Sequence, residues 1–225
     1  MDTRHDSLEI VNSSNVEESV SSYETKSTRD VMLSPEDTAT HFNNVGVALQ
    51  KCGLKASSNN EAQALSYNER ASAAYRTSLK MKKNQFGNSH PTIATTLNNL
   101  ASVYFSEGHY HCALKYYNKS LDIMTMHLGR NDPNVATIWH NIGDVHRAMQ
   151  RSNLAIICFE RALAIRREYF YECDVRVVRL VLKINALTRE KECALLRQDI
   201  SDEISKIDKL EKEFKNEIEI LLSNI

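Results

Sequence analysis

At 225 residues, 42% apolar and 25% charged, the chain has material for one substantial domain, and 6 Gly with 3 Pro argue against a loop-rich fold. A net charge of −1 and a pI of about 6.7 lack the concentrated basic surface of a nucleic-acid reader. Five cysteines, an odd number with no CxxC pair, argue against a disulfide framework or a zinc site and fit reduced thiols in the cytoplasm.

Residues 1–33 are rich in Ser, Thr and Glu with scattered single apolar side chains, a composition expected to stay disordered because it buries too little surface to offset chain entropy. Residues 1–36 hold 3 basic against 8 acidic side chains. The start lacks the apolar stretch of a signal peptide and is too acidic for a transit peptide. No apolar run in the chain approaches the ~18 residues that span a membrane. Ser34-Pro35-Glu36-Asp37 then reads as a helix start, with a hydroxyl cap, proline in the first turn and an acid at the third position; Ser34-Pro35 also fits a proline-directed phosphorylation site.

From Ser34 to Asp174 the chain repeats itself. Leu97, Leu100, Ala101, Tyr104, Ala113, Tyr117 and Ser120 have counterparts at Trp139, Ile142, Gly143, His146, Ala155, Phe159 and Ala162, each 42 residues later. An earlier copy holds Phe42, Val45, Gly46 and Leu49, then Ala71, Tyr75 and Ser78, with an insertion of 13 residues between its halves. The insertion is expected in a surface turn, partly absorbed into a longer second helix, since loop closure costs only the logarithm of length. Gly53 and Gly108 are expected in the turns between paired helices. Gly46, Ala101 and Gly143 are expected where paired helices approach closely, facing Ala71, Ala113 and Ala155. The repeats run from about 34–90, 91–132 and 133–173, and a degenerate fourth begins at 174. There Val181 and Ile184 keep apolar positions, whereas Asn185, Thr188 and Arg197 break the pattern, so a capping helix is expected from 175 to about 189. From 191 to 225 an amphipathic helix follows, with Ile200, Ile204, Ile207, Glu211, Phe214, Ile218, Leu221 and Ile225 at alternating spacings of 4 and 3. It fits either a coiled coil or a cap on the last repeat.

The order of Trp139, Ile142, Gly143 and His146, then Ala155, Phe159 and Ala162, resembles the signature of the tetratricopeptide repeat (TPR), W-x2-L-G-x2-Y followed by A-x3-F-x2-A. That resemblance implies an all-α fold: a TPR-type α-solenoid of helix-turn-helix repeats, here with a long C-terminal amphipathic helix. The 42-residue period, the Asn-rich first helix, and the junctions Gly87-Asn-Ser-His-Pro91 and Gly129-Arg-Asn-Asp-Pro133 resemble the TPR units of kinesin light chains.

In each first helix the residues not used in packing are expected to line the concave side of the solenoid. Asn43, Asn98 and His140 share one repeat position, and Asn44, Asn99, Asn141 and Lys183 the next. An amide offers two donors and an acceptor, so such a ladder can hold the backbone of an extended peptide, the role that the TPR resemblance implies for Asn44, Asn99 and Asn141. It can equally bridge adjacent helices. Asp144 and Arg147 lie on the same face as His140, where they can read charges on a ligand or pair with each other at i,i+3. His140 and Asp144 have helical metal-ligand spacing without a third ligand, so no metal and no cofactor are expected. Tyr116, Tyr117 and Trp139 read as interhelix packing.

No nucleophile–base pair or phosphate-cradling glycine loop is present in the sequence. The expected function is therefore a non-enzymatic, cytoplasmic adaptor that takes a protein or peptide ligand in the groove, with a homodimer or helical partner through residues 192–225 and neither nucleic acid nor membrane as partner. Two alternatives stand beside it: a structural oligomer acting through the C-terminal helix, and, from the kinesin-light-chain resemblance, an accessory cargo adaptor of a microtubule motor.

Overall fold

The computed structural model describes residues 34–56 and 60–223, all of them in helices and short connections. The expected disorder of residues 1–33 lies outside the described residues. Seven helices follow in order among the described residues: α1 (Pro35–Ala56), α2 (Glu61–Phe86), α3 (Pro91–Ser106), α4 (Tyr110–Leu128), α5 (Pro133–Ala148), α6 (Ser152–Tyr169) and α7 (Val175–Ser223).

Side chains just ahead of the first helix of each repeat fix where it begins. Ser34 Oγ accepts from the Asp37 N–H at 3.1 Å and donates to the Asp37 carboxylate at 2.7 Å. Asp132 and Asp174 accept from the N–H two residues on, at 2.7 and 2.8 Å, and His90 does so at 3.3 Å. Each bond satisfies one of the donors that a helix start leaves open. The second helices of repeats one and two stop at Gly87 and Gly129, whose φ values of 77° and 85° are conformations that disfavour a side chain.

Helices α1, α3 and α5 each pack on the even-numbered helix that follows, the pairs stack, and α7 packs on α6. Tyr75, Tyr117 and Phe159, at the 42-residue period, are at most 2% exposed and fill the centre of each pair. Two of the pairs carry the same staple: Ser78 donates to the Ala39 carbonyl and Ser120 to the Ala94 carbonyl, both at 2.7 Å. Helix α1 touches α3, and α3 touches α5, so the first helices of successive repeats stand side by side. One apolar cluster runs from α3 to α7, and a second joins α1, α2 and α3.

Three sequence expectations are corrected here. The 13 extra residues of repeat one form no large loop; they lengthen both helices, to 22 and 26 residues against 16 and 19 in repeat two. Gly53, expected in the turn, therefore lies inside α1, where an added Cβ would meet Asn68 Oδ1 at 2.9 Å. The small residues at Gly46 and Gly143 face the rings of Tyr75 and Phe159, not an alanine on the neighbouring helix. Finally, the capping helix and the C-terminal amphipathic helix are one unbroken helix of 49 residues, because nothing between Arg189 and Glu192 interrupts helical hydrogen bonding. The later stripe positions Glu211, Phe214, Ile218, Leu221 and Ile225 have side chains outside the described set.

Candidate peptide-binding groove

The polar residues singled out on the inner face are brought together by the stacking of α1, α3, α5 and α7. A regular linkage joins them. Asn99 Nδ2 donates to Asn43 Oδ1 across a long 3.5 Å, Asn141 Nδ2 donates to Asn98 Oδ1 at 3.0 Å, and Lys183 Nζ lies 2.7 Å from His140 Nε2. In each case the side chain at one repeat position reaches back to the preceding position of the previous repeat. The ladder thus bridges helices, one of the two roles that the sequence leaves open. It does not use up the amides: each Asn offers two N–H donors and one oxygen, and a rung takes only one group from each partner. Asn44 has no earlier helix to reach among the described residues and is exposed.

The last rung carries most of the charge. Lys183 Nζ lies 2.7 Å from both oxygens of Asp144, and His140 Nε2 lies 3.2 Å from Asp144 Oδ2. Arg147 Nε is a looser neighbour, 3.5 Å from Asp144 Oδ1, with about half of its side chain in solvent. Burial pushes the Asp144 carboxyl up, but the bonds from His140 and Lys183 more than reverse this and hold it at about 2. Asp144 and Lys183 are therefore committed to joining α5 and α7, and Arg147 is the charged group of this cluster most open to a ligand.

Two buried cations that sequence reasoning missed lie behind the groove. Lys82 donates to Thr96 Oγ1 at 2.9 Å and to the Thr92 carbonyl at 3.3 Å, and Thr96 Oγ1 in turn reaches Asn43 at 3.3 Å. Arg166 donates to the Arg176 carbonyl at 3.0 Å and faces His140 Nδ1 at 3.4 Å. Both are less than 10% exposed, and burial lowers the pKa of each. They stand at one repeat position, with Met124 between them in repeat two. The available signal was that equivalence: a position held by a buried Met in one repeat is a core position in all of them.

The aromatics expected to pack do so: Tyr117 is buried, Tyr104 and Tyr116 stack at 5.3 Å, and Arg161 lies 4.6 Å above the Trp139 ring. Among the described residues no three His, Cys, Asp or Glu side chains are grouped as metal ligands, and no helix is long and apolar enough to cross a membrane.

A family model described as tetratricopeptide repeat matches residues 56–126 and 92–168, together half of the chain. The chain belongs to the tetratricopeptide repeat family. Its solenoid is similar to that of BtubC (BKLC) from P. vanneervenii, with a TM-score of 0.63 and 18% identity over 78% of this chain and 66% of the other. It is also similar to a putative kinesin light chain with nearly identical TPR-like repeats from Podosopora anserina, with a TM-score of 0.58 and 14% identity over 83% of each chain. The chain thus spans about two thirds of the length of BtubC, and at these identities the likeness is one of fold. No curated protein matches the sequence significantly. The fold is that of a protein-interaction scaffold resembling the kinesin light chain repeats.

Proposed function

We propose that this TPR protein is a non-enzymatic adaptor that holds an extended peptide along its inner face. The observation that carries this reading is the ladder itself. Its rungs order Asn43, Asn98, Asn99 and Asn141 in a row and leave amide donors and acceptors unused, with Asn44 and Arg147 open to solvent at its two ends. A row of ordered amides can pair with the backbone of a strand whatever its side chains, and ordering them beforehand lowers the entropy cost of binding. Four inner helices at about 8–10 Å spacing accommodate roughly 6–9 extended residues at about 3.3 Å each. A role as cargo adaptor of a microtubule motor is a finer form of the same reading and rests on likeness to kinesin light chain repeats alone.

Asn44 and Arg147 make the cleanest test, because both are exposed and neither bears on the core. Peptides selected for binding from a random library on the full chain should bind the Asn44→Ala/Arg147→Ala variant at least tenfold more weakly, with its melting temperature unchanged. Full affinity in the variant would place the peptide elsewhere. Replacing Asn99 and Asn141 by Ala should weaken the same peptides, with a small loss of stability from the broken rungs, about 0.5–1.5 kcal/mol each.

A further inference from the structure

Asn44, Asn99 and Asn141 stand at one repeat position on α1, α3 and α5. Cα atoms of α1 and α3, and of α3 and α5, come within 8 Å of each other, so these helices sit at the usual packing distance of about 8–10 Å. The three amides therefore recur along the stack with a step of that size.

A β-strand can pair with a single rung, but it does not keep this step. Three of its residues span about 10 Å, while its carbonyls and side chains alternate between two sides with a period of two residues. A strand that offers a carbonyl to Asn44 therefore turns the carbonyl three residues on away from Asn99. The polyproline II helix does keep the step. At three residues per turn and a rise of about 3.1 Å, one turn covers about 9 Å, and residues i, i+3 and i+6 face the same way.

The open groups of the row are mostly donors. Each rung takes one N–H from Asn99 or Asn141 and the oxygen of Asn43 or Asn98. The Asn43 oxygen is engaged again by Thr96 Oγ1 at 3.3 Å. An amide has two N–H groups and one oxygen, so what stays open is richer in N–H than in oxygen. Asn44, which is exposed, adds both of its N–H groups. Proline matches such a surface. It has no backbone N–H, and the polyproline II helix makes no internal hydrogen bonds, so its carbonyls are free acceptors. It is also stiff before it binds, which lowers the entropy cost of docking.

We propose that the row takes a proline-rich segment of a protein partner in the polyproline II conformation, one turn per repeat. Its carbonyls at i, i+3 and i+6 accept from Asn44, Asn99 and Asn141. Such a ligand presupposes that peptides bind along the row at all, as proposed above, and adds which peptides do.

Fluorescence anisotropy on the full chain tests this with a labelled nonapeptide of L-proline, long enough for three turns. The same peptide with a central D-proline keeps the composition and breaks the left-handed helix. The L-peptide should bind, and the D-proline peptide should bind at least tenfold more weakly. Asn44→Asp keeps the shape of an exposed side chain but turns its donors into acceptors, so it should weaken the L-peptide at least tenfold with an unchanged melting temperature. Equal binding of the two peptides, full affinity in Asn44→Asp, or no binding of the L-peptide would each overturn the proposal. Peptides selected from a random library separate that failure from failure of the groove itself. Their binding through Asn44 and Arg147 would keep the groove and discard only its proline-rich occupant.

Discussion

Gly143 lies under the edge of the Phe159 ring: a Cβ on Gly143 would stand 2.5 Å from Phe159 Cε1. The same relation holds between Gly46 and Tyr75 at 2.6 Å, and Tyr75 is further held by a 3.2 Å bond from its hydroxyl to Gln50 Oε1. Repeat two has Ala101 at this position beside Tyr117, so the close approach belongs to particular ring placements and not to the repeat as such.

Gly143→Ala should therefore destabilise the protein by about 1–3 kcal/mol through overpacking, partly offset by a gain of up to about 1 kcal/mol in helix propensity. Combining it with Phe159→Leu should cost less than the sum of the two single changes. Thermal melts of the four proteins in a double-mutant cycle measure this coupling; strict additivity would mean that the ring shifts freely and no close contact exists.

Acid should weaken the fold in two steps. His146 stands where repeat two has Tyr104, and its Nδ1 is buried without a hydrogen bond. Burial, helped by Arg151, holds its pKa below the ordinary 6.5, so the unfolded chain takes up that proton first and stability falls as pH drops below about 6.5. Asp144 is the opposite kind of group, with a folded pKa of about 2 against an ordinary 3.8. Its contribution, about 2 kcal/mol, is fully present above 3.8 and is lost as pH falls to about 2. Denaturant unfolding across pH should show the first step missing in His146→Phe. Asp144→Asn should be less stable than wild type at pH 7 and equal to it near pH 2.

Lys82→Met should raise stability by about 0.5–2 kcal/mol. Met124 occupies the same position in repeat two and is buried there. Removing the ammonium avoids its desolvation, while Thr96 Oγ1 keeps its bonds to Thr92 and Asn43. Lys82→Ala should instead lower the melting temperature by leaving a cavity. A drop for both variants would show that the ammonium's bonds outweigh its burial.

The repeat architecture was legible because its signals are local. A 42-residue period, small and aromatic residues at fixed repeat positions, and the helix start at Ser34-Pro35 act within a helix or between neighbours in the chain, so their spacing alone specifies helices and their order. That Asn43, Asn98 and His140 share one repeat position, and Asn44, Asn99, Asn141 and Lys183 the next, followed from the same register. What each does there was decided only by the stacked structure. Asn141 bonds to Asn98 and Lys183 to Asp144 across 43 and 39 residues of chain, and no periodicity says which of two polar neighbours will meet once helices twist past one another. The lengthened helices of repeat one show the same limit. Whether 13 extra residues make a loop or extend two helices depends on whether the added turns can be covered, as Gly53 is covered by Asn68 and Tyr67, and cover is a property of the folded molecule.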